Sequence, residues 1–585
     1  MQFSKTKLRF WLVGFLLLAT GFFYLAAEDS SPDSKQKFSK EKIDSISAAV
    51  VKEISTELPG WFKKSGIQGL AITIVNDKRD LWKDEYGFIS KKKDMAVNAE
   101  TLFSIQSISK SITALAVLMA VQDGFLDLDT SVNVYLPGFR VNSPYEEHPE
   151  KKMTLRFLLS HRAGFTHEAP VGSNFDTRPH TFEQHIESIS KTWLKFPVGY
   201  RIAYSNSGVD LAGYILQVKT GKPFIQYVKE KVLDPIGMKS STLDMKVIKK
   251  EKNRASGLEH LPNGDEVSKG IPVDIPMIPA GGVYSNTIDM AKYLRFLINK
   301  GKVNGVHLLE SNLIEQMFAV AFPVKTQRSG YGLCLLIEVV SKTYSVSHGG
   351  GGYGFSSCMI VYPELKLAVV LLMNTRGSVV INKIQNIMNE IIEKEIGKTE
   401  PLPEHMSVEN FSPLSPKDKR VKKTLGIYDK TWTIKFNDKI LGIAPDGKNF
   451  YPLKMFSDKG QIVGKFGNYS EIRFLPSLKN RPGTMVYFHR LTDIVNFRDF
   501  HMPEGAADKP GANMPEWQKY IGEYNIKRWG GRVIHTYKVR VINGYLYLNW
   551  MRCFEHLPGL FFTYNGEALD FRGTIPTFRN IRLYK

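Results

Sequence analysis

Apolar and polar positions change their period several times along this chain, and the changes divide it. The stretch "LAITIVND" (70–77) reads as a strand running into a turn, and "RDLWKDEYGF" (79–88) as its partner. "TALAVLMAVQDG" (113–124) and "NTIDMAKYLRFLINKG" (286–301) carry helical spacing instead, the latter with Asn286 or Thr287 as cap and Gly301 as stop. Strand patterns then return in "YGLCLLIEVV", "KTYSVSH", "FSSCMIVYP" and "LAVVLLMN" (331–374). Strands at both ends with helices between them predict an antiparallel sheet with helices packed on it, an α/β sandwich, over residues 43–398.

A Pro-rich, aperiodic stretch, "EPLPEHMSVENFSPLSPKDK", comes next and predicts a linker over 399–415. Beyond it, in 416–585, short alternating runs such as "WTIKFNDKILGIA" and "VIHTYKVRVINGYLYLNW" are joined by Asn-Asp, Asn-Gly and Asp-Gly turns. Helical periodicity is nearly absent, which predicts an all-β barrel or sandwich. "TLGIYDKTWTIKFNDKILGI" is faintly echoed by "YIGEYNIKRWGGRVIHTYKVRVINGYLYL". Two related β halves and one barrel with a chance echo both fit.

At the other end, Lys5, Lys7 and Arg9 precede an apolar run of 18 residues, "FWLVGFLLLATGFFYLAA". That is near the length needed to cross a bilayer, so 1–27 reads as a signal peptide or membrane anchor and the polar 28–42 as a tether. Export is expected, to the periplasm or to an anchored position. Leu25 is a poor match three positions before a cut at Ala27, and no Cys follows for lipid attachment.

With 585 residues, two or more domains are expected, and 43% hydrophobic content excludes a disordered chain. The net charge of +20 suits an anionic membrane or cell-wall surface as neighbour, or simply a solvated Lys-rich surface. No zinc finger, RNA-binding signature or Arg cluster points to nucleic acid. Only Cys334, Cys358 and Cys553 occur, which argues against a disulfide framework; the first two lie in neighbouring strand patterns, and buried thiols are the expected state.

The candidate chemistry begins with "SISK", which occurs at Ser107–Lys110 and again at Ser188–Lys191. The looser Ser-x-x-Lys pattern also fits Ser4, Ser34, Ser39 and Ser90, so context must decide. Ile108, Ile112, Leu115, Ala116 and Met119 start a buried helix near Ser107. In a first turn the Ser107 N–H has no intrahelical acceptor and can serve a developing oxyanion. Lys110 stands on the same face, and an apolar setting eases loss of its proton. Around the second copy, Phe182, Ile186, Ile189 and Trp193 form the buried stripe. That predicts Ser188 in mid-helix on the surface and Lys191 toward water. Two further segments matter. Tyr204, Ser205 and Asn206 precede a new helix in "YRIAYSNSGVDLAGYIL"; a phenol beside a lysine can relay a proton as phenolate, and an amide can hold an acyl group. In "YSVSHGGGGYGF", His348 ends a strand pattern, and the glycines allow close backbone approach and a second oxyanion N–H. Lys219–Gly221 is a "KTG" at a helix end, where Gly221 reads as a cap.

Ser-x-x-Lys, Tyr-x-Asn and a His-x-Gly element, in this order, resemble the serine β-lactamases and penicillin-binding proteins, in particular class C β-lactamases, D-alanyl-D-alanine carboxypeptidases and related esterases. "LRFLLSHRAGF", "LDPIGMKSSTLDM" and "PAGGVYSNTIDMAKYLRFL" look like the same family. The resemblance implies Ser107 as nucleophile, Lys110 with Tyr204 as base system, and Asn206, His348, Gly350 and Gly351 on the substrate side, with Ser107 and Gly351 supplying oxyanion N–H groups. It implies a small-molecule or peptide substrate and no metal or organic cofactor. A His stands where the family commonly has a lysine, which weakens the expectation of β-lactam carboxylate recognition. The C-terminal region is similar to the lipocalin-like appendages of some of these hydrolases. The reading is an exported hydrolase that cleaves an amide, ester or lactam carbonyl through an acyl-enzyme. A peptidase or esterase without useful β-lactamase activity, and an acylatable sensor that does not turn over, remain as alternatives.

Overall fold

The computed structural model describes residues 38–585 except 177, 201, 261–265, 270–275, 322–329 and 398–411, and short segments beyond 428: 429–431, 445–449, 459–460, 467–469, 476–483, 490–494, 499–514, 528–532, 543–544, 550 and 564–565. The signal or anchor segment and most of the linker expectation lie outside the described residues. Among the described residues no helix is long and apolar enough to cross a membrane.

A seven-stranded sheet forms the centre of the first domain. Its order is Asp80–Gly87, Gly69–Asn76, Leu367–Met373, Phe355–Tyr362, Thr343–Gly352, Leu336–Val340 and Gly330–Tyr331. Every neighbouring pair is antiparallel. The continuous apolar run of Leu367–Met373 has a direct cause: both faces of this sheet are covered. Ala368, Val370 and Leu372 point into one core, while Leu367, Val369, Leu371 and Met373 point into the other. The second core is roofed by the helices Lys40–Ser65 and Ser378–Ile396. Lys40–Ser65 starts inside the stretch read as a tether, with Ser39 capping it through the Lys42 N–H.

The first core holds the helices Ser109–Gln122, Asn206–Thr220 and Thr287–Ile298. Asn286 caps the last of these, accepting from the Asp289 N–H. Gly221 ends Asn206–Thr220 at φ 66°, a left-handed cap, so its "KTG" is a helix end as expected.

Among the described residues the C-terminal region is all-β apart from short helical turns, and the two echoed segments fall in separate sheets. In the first, the turn Lys419–Lys422 leads into Gly426–Tyr428, Trp432–Asn437 and Ile440–Ala444. In the second, the turn Pro515–Tyr520 leads into Gly522–Lys527, Val533–Ile542 and Tyr545–Leu548. The second unit is an eight-stranded sheet in sequence order. Its two ends approach where the Asn525 backbone and that of Tyr584, just past the last strand, exchange hydrogen bonds of 2.7 and 3.0 Å, which bends the sheet into a nearly closed barrel. Leu546, Phe561, Leu569 and Phe578 fill it. Cys334, Cys358 and Cys553 are unbridged thiols.

Candidate active site

The chain reaches Ser107 through Gln106, whose φ of 50° is a left-handed conformation rare outside glycine. One turn of 3-10 helix, Gln106–Ile108, then feeds directly into Ser109–Gln122. Ser107 therefore sits in the first turn, where backbone N–H groups have no intrahelical acceptor. Ser107 is half-buried and lines a cavity of about 300 Å³ with Tyr204, Asn206, His348, Gly349 and Gly351.

Lys110 is completely buried, and its Nζ donates to Ser107 Oγ at 3.0 Å and to the Ala280 carbonyl at 2.7 Å. Burial penalises its cation and pushes the amine down to about 8, although Asp210 pulls the other way. Asp210 is itself fixed, accepting from the Ala280 N–H at 3.0 Å and contacting His185 Nε2 at 3.1 Å. The Lys110 amine is thus held by a residue whose own N–H is anchored to a buried carboxylate.

Tyr204 hydrogen-bonds the Ser107 side chain, and its ring lies 5.0 Å from Lys110 Nζ. Burial raises the phenol well above its ordinary value, so the protonated form dominates at neutral pH. The phenolate expected from sequence is therefore disfavoured. The Tyr204 ring stacks on His167 at 5.5 Å and lies 4.4 Å from His161. His161 accepts from the Ser205 N–H through Nδ1 at 3.2 Å, so its proton resides on Nε2. Burial and Lys110 hold this imidazole well below its usual range.

Asn206 is the first residue of its helix, with Ser205 as cap. Its Nδ2 donates to Glu168 Oε1 at 3.0 Å, and its Oδ1 is buried without a partner among the described residues. Burial opposes the Glu168 charge, but His167, Asn174 and Lys110 outweigh it and lower the carboxyl below its ordinary value.

His348 lies in the strand Thr343–Gly352. It is buried, and burial with help from Lys110 pushes it down to about 3. Nδ1 lies 2.6 Å from the Gly349 carbonyl, which can only accept, so Nδ1 carries the proton. Nε2 is then a lone-pair acceptor, buried and without a partner among the described residues. Strand pairing with Leu336–Val340 ends at Ser347, while pairing with Phe355–Tyr362 runs on to Gly352. The glycines divide by role. A Cβ on Gly350 would lie 2.3 Å from the Ile105 carbonyl, so this residue lets the strand close on the turn before Ser107, and it is absent from the cavity wall. Gly351 has open space at the same position and does line the cavity.

The second "SISK" is differently placed. Ser188 is buried rather than exposed, because His185 and Ser188 join Ile186 and Ile189 on the inner face. Its Oγ donates to the His185 carbonyl at 2.7 Å. Lys191 is exposed as expected and pairs with Glu187 at 2.7 Å.

Glu168, His161 and His167 carry no motif of their own, and sequence does not single them out, although His161 lies inside "LRFLLSHRAGF". Among the described residues no group of three His, Cys, Asp or Glu side chains converges as a metal site.

Residues 48–387 match the Beta-lactamase family model. Beta-lactamase-like protein 2 of Dictyostelium discoideum is 25% identical over 350 residues, 58% of this chain and 62% of that protein. The unguisins hydrolase ungD' of Aspergillus campestris is 28% identical over 363 residues, 59% of this chain and 64% of that protein. The match therefore spans less than two thirds of either relative. In fold, the octameric penicillin-binding protein homologue from Pyrococcus abyssi is similar with a TM-score of 0.50 at 22% identity, covering 77% of this chain and 99% of that one. SurE is similar with a TM-score of 0.51 at 19% identity, covering 78% and 99%. With a serine at a helix start against a buried lysine, and a family match that runs from residue 48 to 387, this chain belongs to the Beta-lactamase family, a family of serine hydrolases.

Proposed function

We propose that the protein cleaves amides or esters through an acyl-enzyme on Ser107, and that it favours substrates without a carboxylate beside the scissile bond. The observation that carries the chemistry is Lys110 Nζ, buried and 3.0 Å from Ser107 Oγ. The neutral amine takes the Ser107 proton as Oγ attacks the carbonyl carbon. The oxyanion accepts from the Ser107 N–H and the Gly351 N–H. Tyr204, held protonated, donates to the departing amine or alcohol and is reprotonated from Lys110. Water then attacks the acyl-enzyme and releases the acid. The buried Asn206 and Glu168 hold the acyl side of the substrate.

The substrate preference comes from His348. An uncharged imidazole with a free Nε2 lone pair accepts a hydrogen bond from a substrate N–H or O–H, and it offers nothing to a carboxylate. Export with an N-terminal segment that stays as an anchor belongs to this reading. It rests on Lys5, Lys7 and Arg9 before the apolar run, and the charge of +20 suits an anionic surface nearby.

The test is parallel turnover of a chromogenic cephalosporin, a D-Ala-D-Ala peptide and a short acyl ester by the full-length protein. The ester should be turned over best, and binding of the two anionic substrates should stay flat between about pH 5 and pH 8, where an ordinary histidine would titrate. Faster cephalosporin turnover would overturn the preference. Labelling by a fluorophosphonate without turnover of any substrate would show an acylatable sensor.

A further inference from the structure

We infer that Glu567 and Asn580, on the C-terminal barrel, are positioning residues for Tyr204 and Asn206, acting through the loop residues Thr166–Glu168. The inference rests on the acyl-enzyme reading above for its catalytic consequence. Glu567 is only 3% exposed although it leaves the barrel to enter the hydrolase domain. Its carboxylate accepts from Thr166 Oγ1 at 2.8 Å, and Lys195 Nζ lies 2.5 Å away. Burial opposes this charge, but Lys195 and Arg579 outweigh it and hold the carboxyl below its ordinary value. Next to it, a Cβ on Gly566 would lie 2.4 Å from the Lys195 carbonyl, so the two backbones are seated directly on one another. Two residues further along the loop from Thr166, the Glu168 carbonyl accepts from Asn580 Nδ2 at 3.0 Å.

The same three loop residues hold the Tyr204–Asn206 segment from their other side. The Thr166 carbonyl accepts from Ser205 Oγ at 2.8 Å, and the His167 carbonyl accepts from the Asn206 N–H at 2.9 Å. Glu168 Oε1 accepts from Asn206 Nδ2 at 3.0 Å. The barrel thus grips Thr166 and Glu168, and Thr166 to Glu168 grip Ser205 and Asn206. An interface that served adhesion alone has no need of a buried carboxylate, which is costly to bury unless it is paired. An aromatic part of the same interface lies beside this one, where Trp193 meets His556 at 5.3 Å and Phe562 at 5.7 Å ring to ring.

The full-length protein tests this with three variants. Asn580→Ala and Thr166→Val each remove one grip on the loop, and His556→Ala removes a ring packed against Trp193. Three readouts are taken: the rate of Ser107 labelling by a fluorophosphonate, hydrogen exchange at the Ser205 and Asn206 amides, and the melting temperature. Asn580→Ala and Thr166→Val should slow labelling about tenfold or more, since small misplacements at a reacting centre are costly, and should speed exchange at both amides. His556→Ala should lower the melting temperature and leave labelling and exchange near wild type. In an Asn206→Ala background, Asn580→Ala should slow labelling little further, because the two share one route. Wild-type labelling and exchange in both loop variants would overturn the inference. So would His556→Ala slowing labelling as much as they do at an equal melting shift. If wild type takes no label yet exchange still responds to Asn580→Ala, the acyl-enzyme reading falls and the positioning stands.

Discussion

Ser107–Lys110 and Ser188–Lys191 spell the same four residues, and each pair stands three positions apart. In the first, the two side chains meet at 3.0 Å and the lysine is fully buried. In the second, the serine hydroxyl turns back to the His185 carbonyl, and the lysine side chain is 70% exposed beside Glu187. The difference lies in the chain beyond each lysine. After Lys110 it continues as an apolar helix sunk in the core, so the amine must find its partners inside. Lys191 is the C-cap of a nine-residue helix, so its amine swings into water. Burial and helix position set the two lysines apart; the tetrapeptide alone does not.

Substitutions can break this comparison. Ser107→Ala should lower ester turnover about a thousandfold or more and abolish covalent labelling, while Ser188→Ala keeps both. A label that tracks Ser188 would reverse the assignment. Lys110→Met should slow turnover about a hundredfold to ten-thousandfold, the range of a lost general base, and Lys191→Met should leave it unchanged. The pH profile sharpens the contrast. In the proposed mechanism Lys110 works as the neutral amine, so activity should rise with pH through about 8 and level off above it. Lys110→Arg, which cannot lose its proton, should be inactive throughout. For Ser188→Ala the expected effect is on melting alone, a loss of about 1 kcal/mol for one hydrogen bond. The smallest effect belongs to Lys191→Ala, about 0.5 kcal/mol or less for an exposed pair one helical turn apart.

Much of this site can be read from sequence because it lies where periodic elements begin or end. Ser107 opens a buried helix, Asn206 opens another and His348 lies on a strand, so spacing predicts their setting. Glu168 and His161 stand in an aperiodic loop, where nothing in the local pattern shows that a carboxylate will be buried against Asn206. Ser188 is misplaced by periodicity for a related reason. The apolar stripe identifies Ile186 and Ile189, but His185 is drawn inward by Asp210, and that polar attraction widens the buried face to include Ser188. The neutral state of His348 depends on how tightly the strand and the Lys110 helix close around it, which composition does not record. The faint repeat beyond residue 416 is visible in the sequence, but only strand pairing shows its two members in different sheets.

The register of the central sheet bears on how the protein is made. Gly69–Asn76 pairs with Leu367–Met373, from Leu70 with Met373 to Asn76 with Leu367. Its central neighbour therefore lies far down the chain, past every helix of the first core. During synthesis the first hairpin and the Ser107 helix emerge long before the strand that completes the sheet between them and His348. Contacts of such sequence separation form slowly, since a long loop must close before they are rewarded. Until then a nascent chain leaves the apolar edge of Gly69–Asn76 unpaired, a state open to capture by chaperones or by other chains. Ser107 is thus among the early residues to be made and among the late ones to gain its surroundings.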